Sequence, residues 1–563
     1  MNLMKKIKFF IKQNLDLKFQ NFYILFFLSL FITAFGQPDR HFSFALLAYL
    51  FGYLIIIRLL LEVKSKFRRC SYGFLWALGV QLFQLNWLST THYHGFGIVL
   101  VYLLVCFLVA FQFSILTFFM KKNGSLNVFR ALLIASLWTL MEWSRLFYLC
   151  GFPFNNSGLV LTFNPFSLQL ASLVGIYGLT FWVLFTASMG AFAWEKKTNL
   201  GGGIWISLLA FPFFFGAVHL KMHEKKLQKS QNISVALIQT GLTTEQKWPC
   251  PGMEKSFITR INQWERIFAF LREGGKEKFD LIVLPESAVP GEAYKTNISY
   301  EAICARLFMQ EDKLPPLTHP LAFQKSNGKW MVSHAWVAQA IANLYNSDVI
   351  AGLNDYEALE DKNYNSAFYF QPYQQKRARY DKQILVPLAE YLPLPMMRSF
   401  IAQFGITAFF TPGKESKIFT GKVPIFVSIC YEEGYSHLVR KGRLNGAKMF
   451  VNITNDGWFP KSRLPIEHYN LGKVRAVENG VPVLRACNTG ITAVIDAFGK
   501  TTAILPDIDY RGKNLSGVLS GTANCYSYNT IYSKFGDRLI IILSLCCIFF
   551  FLLTNRPTSF IKK

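Results

Sequence analysis

The chain has 563 residues, of which 52% are hydrophobic and only 17% charged, a balance too apolar for an ordinary soluble enzyme. The formal net charge of +25 fits anionic lipid surfaces, and nucleic acid is set aside because no basic helix or aromatic-basic motif accompanies the charge. The 10 cysteines show neither zinc-type nor disulfide-framework spacing, so neither a metal nor another cofactor is expected.

Residues 1–19 are basic, with Lys5, Lys6, Lys8, Lys12 and Lys18. Apolar segments follow near 22–35, 42–61, 71–90, 97–119, 129–148, 166–193 and 203–220, with a last one at 538–554. These are eight expected membrane spans, the first and last short against the roughly 20 apolar residues a spanning helix needs. A cleaved signal peptide competes for the first segment, but no small-x-small cleavage pattern follows it.

Lys64, Lys66, Arg68 and Arg69, then Lys121, Lys122 and Arg130, then Lys196 and Lys197 occupy alternate short loops, while the intervening loops are poor in these residues. The excess of positive charge on the cytoplasmic side then places both termini in the cytoplasm and residues 221–537 on the far side. Lys221, Lys225, Lys226 and Lys229 run against that rule, which acts weakly on a long translocated domain. Glu142 and Arg145 share one helical face of the fifth span, either as an ion pair or as a functional intramembrane acid.

The expected domains are therefore a membrane domain over 1–220, an extracytoplasmic domain over 221–537, and a last span with its tail over 538–563. Within the second, short apolar strands (Val235–Gln239, Leu281–Leu284, Val349–Leu353, Ser366–Phe370, Ile425–Ile429, Met449–Ile453, Val483–Ala486 and Thr492–Ile495) alternate with polar helical stretches such as Ser256–Arg272. This is an α/β pattern. Residues 300–345 read as an inserted surface loop plus a helix.

Three stretches place an ionisable residue at the edge of an apolar segment. Val423–Ile429 is a β-branched run ending in Cys430-Tyr431-Glu432-Glu433; Leu281–Leu284 ends in Pro285-Glu286; and Tyr380–Pro393 carries Lys382 and Glu390. Taken singly, these are a core cysteine, a helix-starting carboxylate and a solvated lysine. Together they put an acid, an amine and a thiol where one site can collect them.

LPES, YDK…LVP…EYLP and ICYEE, in this order, resemble the Glu-Lys-Cys signature of the nitrilase, or carbon–nitrogen hydrolase, superfamily. The extended second motif with Glu390 resembles the apolipoprotein N-acyltransferase branch. So do Asn86-Trp87, Trp138, Glu142, Arg145, Gly151-Phe152-Pro153, Gln169, Gly175 and Gly178 in the membrane part. The resemblance implies an α-β-β-α sandwich beside the polytopic helical domain. It implies Cys430 as nucleophile, Glu286 as its base, and Lys382 beside the oxyanion together with the Tyr431 N–H. Glu390 is expected to hold the amine substrate or Lys382, and Glu432 to organise the cysteine. Leu388-Ala389-Glu390 stands where the family reads Phe-Gly-Glu, which changes the local backbone requirement.

Asn455, Asp456, Gly457 and Trp458 resemble a pocket-mouth segment of the family and also make a ready strand-end turn. Trp248 is expected to face the same pocket. Arg475, Glu478 and Arg485 are expected to form structural pairs, and His92, His94 and His468 to be loop histidines rather than metal ligands. Residues 391–410, apolar and interrupted by Pro393 and Pro395, are expected to form a mobile lid for a lipid tail. The implied partners are a phospholipid acyl donor and a diacylglyceryl apolipoprotein acceptor, met in the bacterial inner membrane. Two rivals stand beside this expectation: a membrane-tethered amidase that gives its acyl group to water, and a non-enzymatic transporter or scaffold with a degenerate domain.

Overall fold

The computed structural model describes residues 21–37, 42–120, 127–148, 150–250, 252–275, 278–307, 311–393, 409–508 and 512–554. The expected lid falls largely at 394–408, and the basic start at 1–19, so both lie outside the described residues. The chain divides into two compact units, Met1–His219 with Asp537–Lys563, and Leu220–Gly536.

The first unit is helical. Among the described residues four helices are long and apolar enough to cross a membrane: Ser43–Glu62, Gly97–Phe118, Ala171–Lys196 and Asn199–Gln228. Along the Gly97–Phe119 helix, Leu100, Leu104, Phe107, Phe111, Ile115 and Phe118 are exposed in a row, while Cys106, Val109, Ala110, Phe113 and Leu116 are buried. The buried side packs on the Lys66–Gln84 helix. A helix that is apolar on its exposed face as well as its packed one suits lipid, not water.

These four helices match four of the eight expected spans, and the helices at the other four positions are shorter or less apolar. The segments at 22–35 and 538–554 form the shorter helices Asn21–Phe35 and Arg538–Thr554. The third starts earlier, at Lys66, where Ser65 caps it by accepting from the Arg68 N–H, and it ends at Gln84 before a 3-10 turn. The fifth ends at Ser144. The sixth is broken at Gly175, whose φ of 67° belongs to the left-handed region that glycine adopts without a Cβ penalty.

Tyr53, Trp76, Phe113 and Trp138 form the aromatic centre of this unit, with Phe113 and Trp138 ring centroids 4.6 Å apart. The expected Glu142–Arg145 pairing gives way to other partners. Glu142 accepts hydrogen bonds from Trp138 Nε1, the Ser157 N–H and hydroxyl, and Thr180 Oγ1, while Arg145 Nε donates to Gln112. Four neutral donors already occupy the carboxylate, which is how an acid is accommodated among apolar helices.

The second unit is built on strands β1 (Asn232–Gln239), β2 (Leu281–Val283), β3 (Ile298–Ser299), β4 (Ala322–Gln324), β5 (Trp330–Val332), β6 (Asp348–Glu357), β7 (Lys362–Phe370) and β8 (Ala378–Asp381), then β9 (Ile418–Thr420), β10 (Pro424–Ile429), β11 (Met449–Thr454), β12 (Val483–Cys487), β13 (Thr492–Ile495), β14 (Thr501–Leu505) and β15 (Gly517–Asn524). Two six-stranded sheets have the orders β15-β1-β2-β6-β7-β8 and β14-β13-β12-β11-β10-β9. Each centres on three parallel strands, β1-β2-β6 in one and β10-β11-β12 in the other, flanked by antiparallel neighbours. The sheets face one another, with β1 against β12 and β13.

Helices cover the outer faces: Arg260–Glu273 and His334–Tyr345 on the first sheet, Ser436–Leu444 and Leu464–Asn479 on the second. The layers are α-β-β-α. Arg260–Glu273 begins later than the polar stretch at Ser256 implied, because Thr259 caps it. Its face Trp264, Ile267, Phe268 and Leu271 is buried, each such side chain stabilising the layer by roughly 1.5–3 kcal/mol. Residues 300–345 hold more than a loop and a helix: β4 and β5 lie there and join β3, which precedes them, in a small antiparallel sheet of order β3-β5-β4.

Candidate active site

The parallel strands of the two sheets deliver their C-terminal ends to one edge, where an α/β protein characteristically places ligands. Glu286 follows β2, Cys430 follows β10, and Lys382 follows the antiparallel β8. Gly352 on β6 lets the Glu286 turn approach: an added Cβ there would stand 2.4 Å from the Pro285 carbonyl oxygen and 2.7 Å from Glu286 Cα. Cys430 itself has a φ of 51°, and a non-glycine residue held there signals a strained turn of the kind found at functional sites.

Lys382 Nζ is buried between two carboxylates, 2.9 Å from Glu390 Oε1 and 3.4 Å from Glu286 Oε1. Asn365 on β7 donates to both acids, at 2.7 Å to Glu286 and 3.0 Å to Glu390. The second Glu390 oxygen accepts from the Val386 N–H at 2.8 Å. Burial disfavours the Lys382 charge, yet Glu390 and Glu286 together raise its pKa well above the lysine range. The Cys430 thiol is pushed well above the usual thiol range by burial and by the Glu286 charge, against the opposing pull of Lys382. Both shifts favour a neutral thiol beside the Lys382 ammonium.

Family models match the chain twice. That of the apolipoprotein N-acyltransferase N-terminal domain covers residues 22–189, and that of carbon-nitrogen hydrolase covers residues 235–511. A protein of Chlamydia caviae named apolipoprotein N-acyltransferase is 31% identical, over 94% of this chain and 96% of its own length. The chain belongs to the apolipoprotein N-acyltransferase family. Similar proteins of that name come from Chlamydia trachomatis, 29% identical over 92% of this chain and 95% of theirs, and from Haemophilus ducreyi, 28% identical over 85% and 86%. With its long apolar helices, this is a bacterial membrane protein.

In this apolipoprotein N-acyltransferase family member the other expected site residues divide into two groups. The Trp248 and Trp458 rings lie tilted against each other with centroids 5.7 Å apart, and Trp458 is 40% exposed, as a rim residue is. Tyr431 packs edge-on against Tyr435 at 5.2 Å. The remaining three turn inward. Asn455 Oδ1 accepts from the Gly457 N–H and from Asn488, which ties the turn to the neighbouring strand end. Asp456 is buried against His468 at 3.1 Å.

Glu432 accepts from the N–H groups of Ile429, Gln383 and Ile384 and from the Tyr380 hydroxyl. It thereby fastens the Cys430 turn to the segment after Lys382. Burial raises its pKa to about 7, against the lowering effect of the Ile429 and Gln383 N–H groups.

Lys247, Asn365 and His468 adjoin this candidate site without having been expected in it. Lys247 is buried over the Trp248 ring, with Nζ 3.4 Å from the Glu286 carbonyl oxygen, and burial lowers its pKa to about 7. His468 was expected in a loop. It lies instead inside the Leu464–Asn479 helix, buried, with Nε2 2.9 Å from the Cys430 carbonyl oxygen. Arg475, Glu478 and Arg485 form structural pairs as expected, Arg475 with Glu478 at 3.2 Å and Arg485 with Glu433 of the Cys430 turn.

Proposed function

We propose that the protein transfers an acyl chain from a phospholipid to the N-terminal amine of a diacylglyceryl-cysteine lipoprotein, through a thioester on Cys430. The observation that carries this reading is the Lys382 ammonium held between Glu286 and Glu390 at the end of the strands that also present Cys430. Glu286 takes the thiol proton as sulfur attacks the ester carbonyl. The oxyanion forms beside Lys382 and the Tyr431 N–H, donors of a kind worth a few kcal/mol each in the transition state. The C–O bond then breaks, and Glu286 returns its proton to the departing lysophospholipid oxygen. In the second half the lipoprotein amine attacks the thioester, Glu286 accepts its proton, and the Cys430 thiol is restored, so one site serves both halves in ping-pong order.

Glu390, which holds Lys382, and Glu432, which holds the cysteine turn, keep these groups in register. The membrane-embedded first unit supports lipid substrates, for which an amidase handing its acyl group to water has no need. Mass spectrometry of the protein incubated with phospholipid alone tests the reading. An acyl adduct is expected on Cys430, lost in Cys430→Ala and retained in Cys250→Ala and Cys487→Ala. An undiminished adduct in Cys430→Ala would remove the mechanism, and acyl released only as free acid in the presence of lipoprotein would favour the amidase.

A further inference from the structure

Each ring nitrogen of His468 faces an oxygen. Nδ1 lies 3.1 Å from Asp456 Oδ1, and Nε2 lies 2.9 Å from the Cys430 carbonyl oxygen. A neutral imidazole donates through one nitrogen only, so donation to both oxygens together is what an imidazolium does. The surrounding charges agree. Glu433 Oε2, from the Cys430 turn, lies 3.6 Å from Nε2, and Arg485 on β12 pairs with that same Glu433. Asp456, Glu433, His468 and Arg485 are thus two acids and two bases buried together beside the cysteine turn. The Glu286 charge, from the turn after β2, also acts on the ring; burial opposes its protonation, while Asp456 and the Cys430 carbonyl favour it, for a net upward shift.

The carbonyl that His468 touches belongs to the peptide unit whose N–H is that of Tyr431. We propose that the Asp456-held His468 imidazolium polarises the Cys430–Tyr431 peptide, so that the Tyr431 N–H becomes a stronger donor to the oxyanion. His468 acts through the peptide and does not touch the substrate: it is a positioning residue. The effect is the cooperative strengthening of one hydrogen bond by another across a shared amide, enhanced where water is excluded. This rests on the acyl-enzyme reading above.

Two rates on Cys430, both followed by mass spectrometry in the full-length detergent-solubilised protein, test it: acylation by phospholipid and alkylation by iodoacetamide. Acylation passes through an oxyanion and alkylation does not. His468→Phe is expected to slow acylation by roughly tenfold or more while alkylation stays within about twofold. His468→Gln, whose amide still donates, is expected to recover part of the acylation rate. In Asp456→Asn the alkaline limb of the acylation profile is expected to move about one unit lower, because the imidazolium has lost its counter-charge. Equal loss of both rates in His468→Phe would make the histidine merely structural, and unchanged acylation would also overturn the proposal. Should His468→Phe fail to fold, the Asp456→Asn limb decides, an unmoved limb overturning the proposal. A parent protein that alkylates at Cys430 but forms no acyl adduct would remove the acyl-enzyme reading itself.

Discussion

Lys382 lies closer to Glu390 than to Glu286, 2.9 Å against 3.4 Å. The difference separates two duties. In the proposed mechanism Glu390 anchors the ammonium, and Glu286 remains available as a base. A buried ammonium deprived of its main partner takes the next one, because an uncompensated buried charge costs several kcal/mol.

Glu390→Gln is therefore expected to draw Lys382 onto Glu286 and neutralise the base. The rate of acyl-adduct formation on Cys430 should fall by roughly 100-fold, as for loss of a transition-state donor, with little change in KM for phospholipid. The measurement is single-turnover adduct formation against lipid concentration. A KM effect at unchanged maximal rate would mean that Glu390 binds substrate instead of positioning Lys382.

Lys247 offers a prediction in pH. Its folded pKa is about 7, lowered by burial from 10.5. Below about 7 both folded and unfolded forms carry the proton, and the folded state bears the full cost of a buried ammonium. Between about 7 and 10.5 the unfolded chain binds more protons, so this group's contribution to stability rises with pH. Lys247→Met removes that dependence. Its Tm advantage over the parent should be larger at pH 6 than at pH 9.5, and an advantage that is flat or grows with pH would contradict the assignment.

The side of the membrane is open to a direct test. Leu359, in the turn between β6 and β7, is fully exposed. If residues 221–537 lie outside the cytoplasm, as the loop charges imply, a membrane-impermeant maleimide should label Leu359→Cys on intact spheroplasts. Labelling that appears only after lysis would reverse the orientation.

The strands that carry Glu286 and Cys430 were legible because buried parallel strands read as short β-branched runs with an abrupt polar end. Asn365 was not legible. It sits in Lys362–Phe370 as one polar residue among alternating ones, and its role arises only because β7 runs beside β8 and past the end of β2. Lys247, in Gln-Lys-Trp-Pro, looks like a solvated lysine until its contact with the Glu286 carbonyl is seen. His468 reaches a carbonyl 38 positions back along the chain, a distance that no local periodicity encodes. Four of the eight expected membrane segments were legible as apolar lengths, but helix ends and breaks were not, since Ser65 as a cap and Gly175 as a break act through backbone geometry.

The position of Glu286 depends on a residue that does no chemistry. Gly352 lies on β6, and its carbonyl accepts from the Ala288 N–H at 2.8 Å, which pins the far side of the Glu286 turn. A Cβ at Gly352 would meet the Pro285 carbonyl oxygen at 2.4 Å, Glu286 Cα at 2.7 Å and the Ser287 nitrogen at 2.9 Å. All three are backbone atoms, so no side-chain rotation relieves the contact, and the turn itself must move. Ser287, at a φ of 43°, has little room to absorb that shift. Gly352→Ala should then displace the base from Cys430 by a fraction of an ångström to an ångström, which costs about 100-fold where reacting groups are preorganised. The fold should lose about 1–3 kcal/mol, as overpacked sites do. Gly521→Ala is the matched control: it lies in β15 of the same sheet, and its added Cβ would meet nothing nearer than the Ala503 Cβ at 3.9 Å. Adduct formation should collapse in Gly352→Ala and survive in Gly521→Ala, with iodoacetamide labelling of Cys430 retained in both. Parent-like acylation in Gly352→Ala would show that the Glu286 turn is free to shift and that its present position is not required.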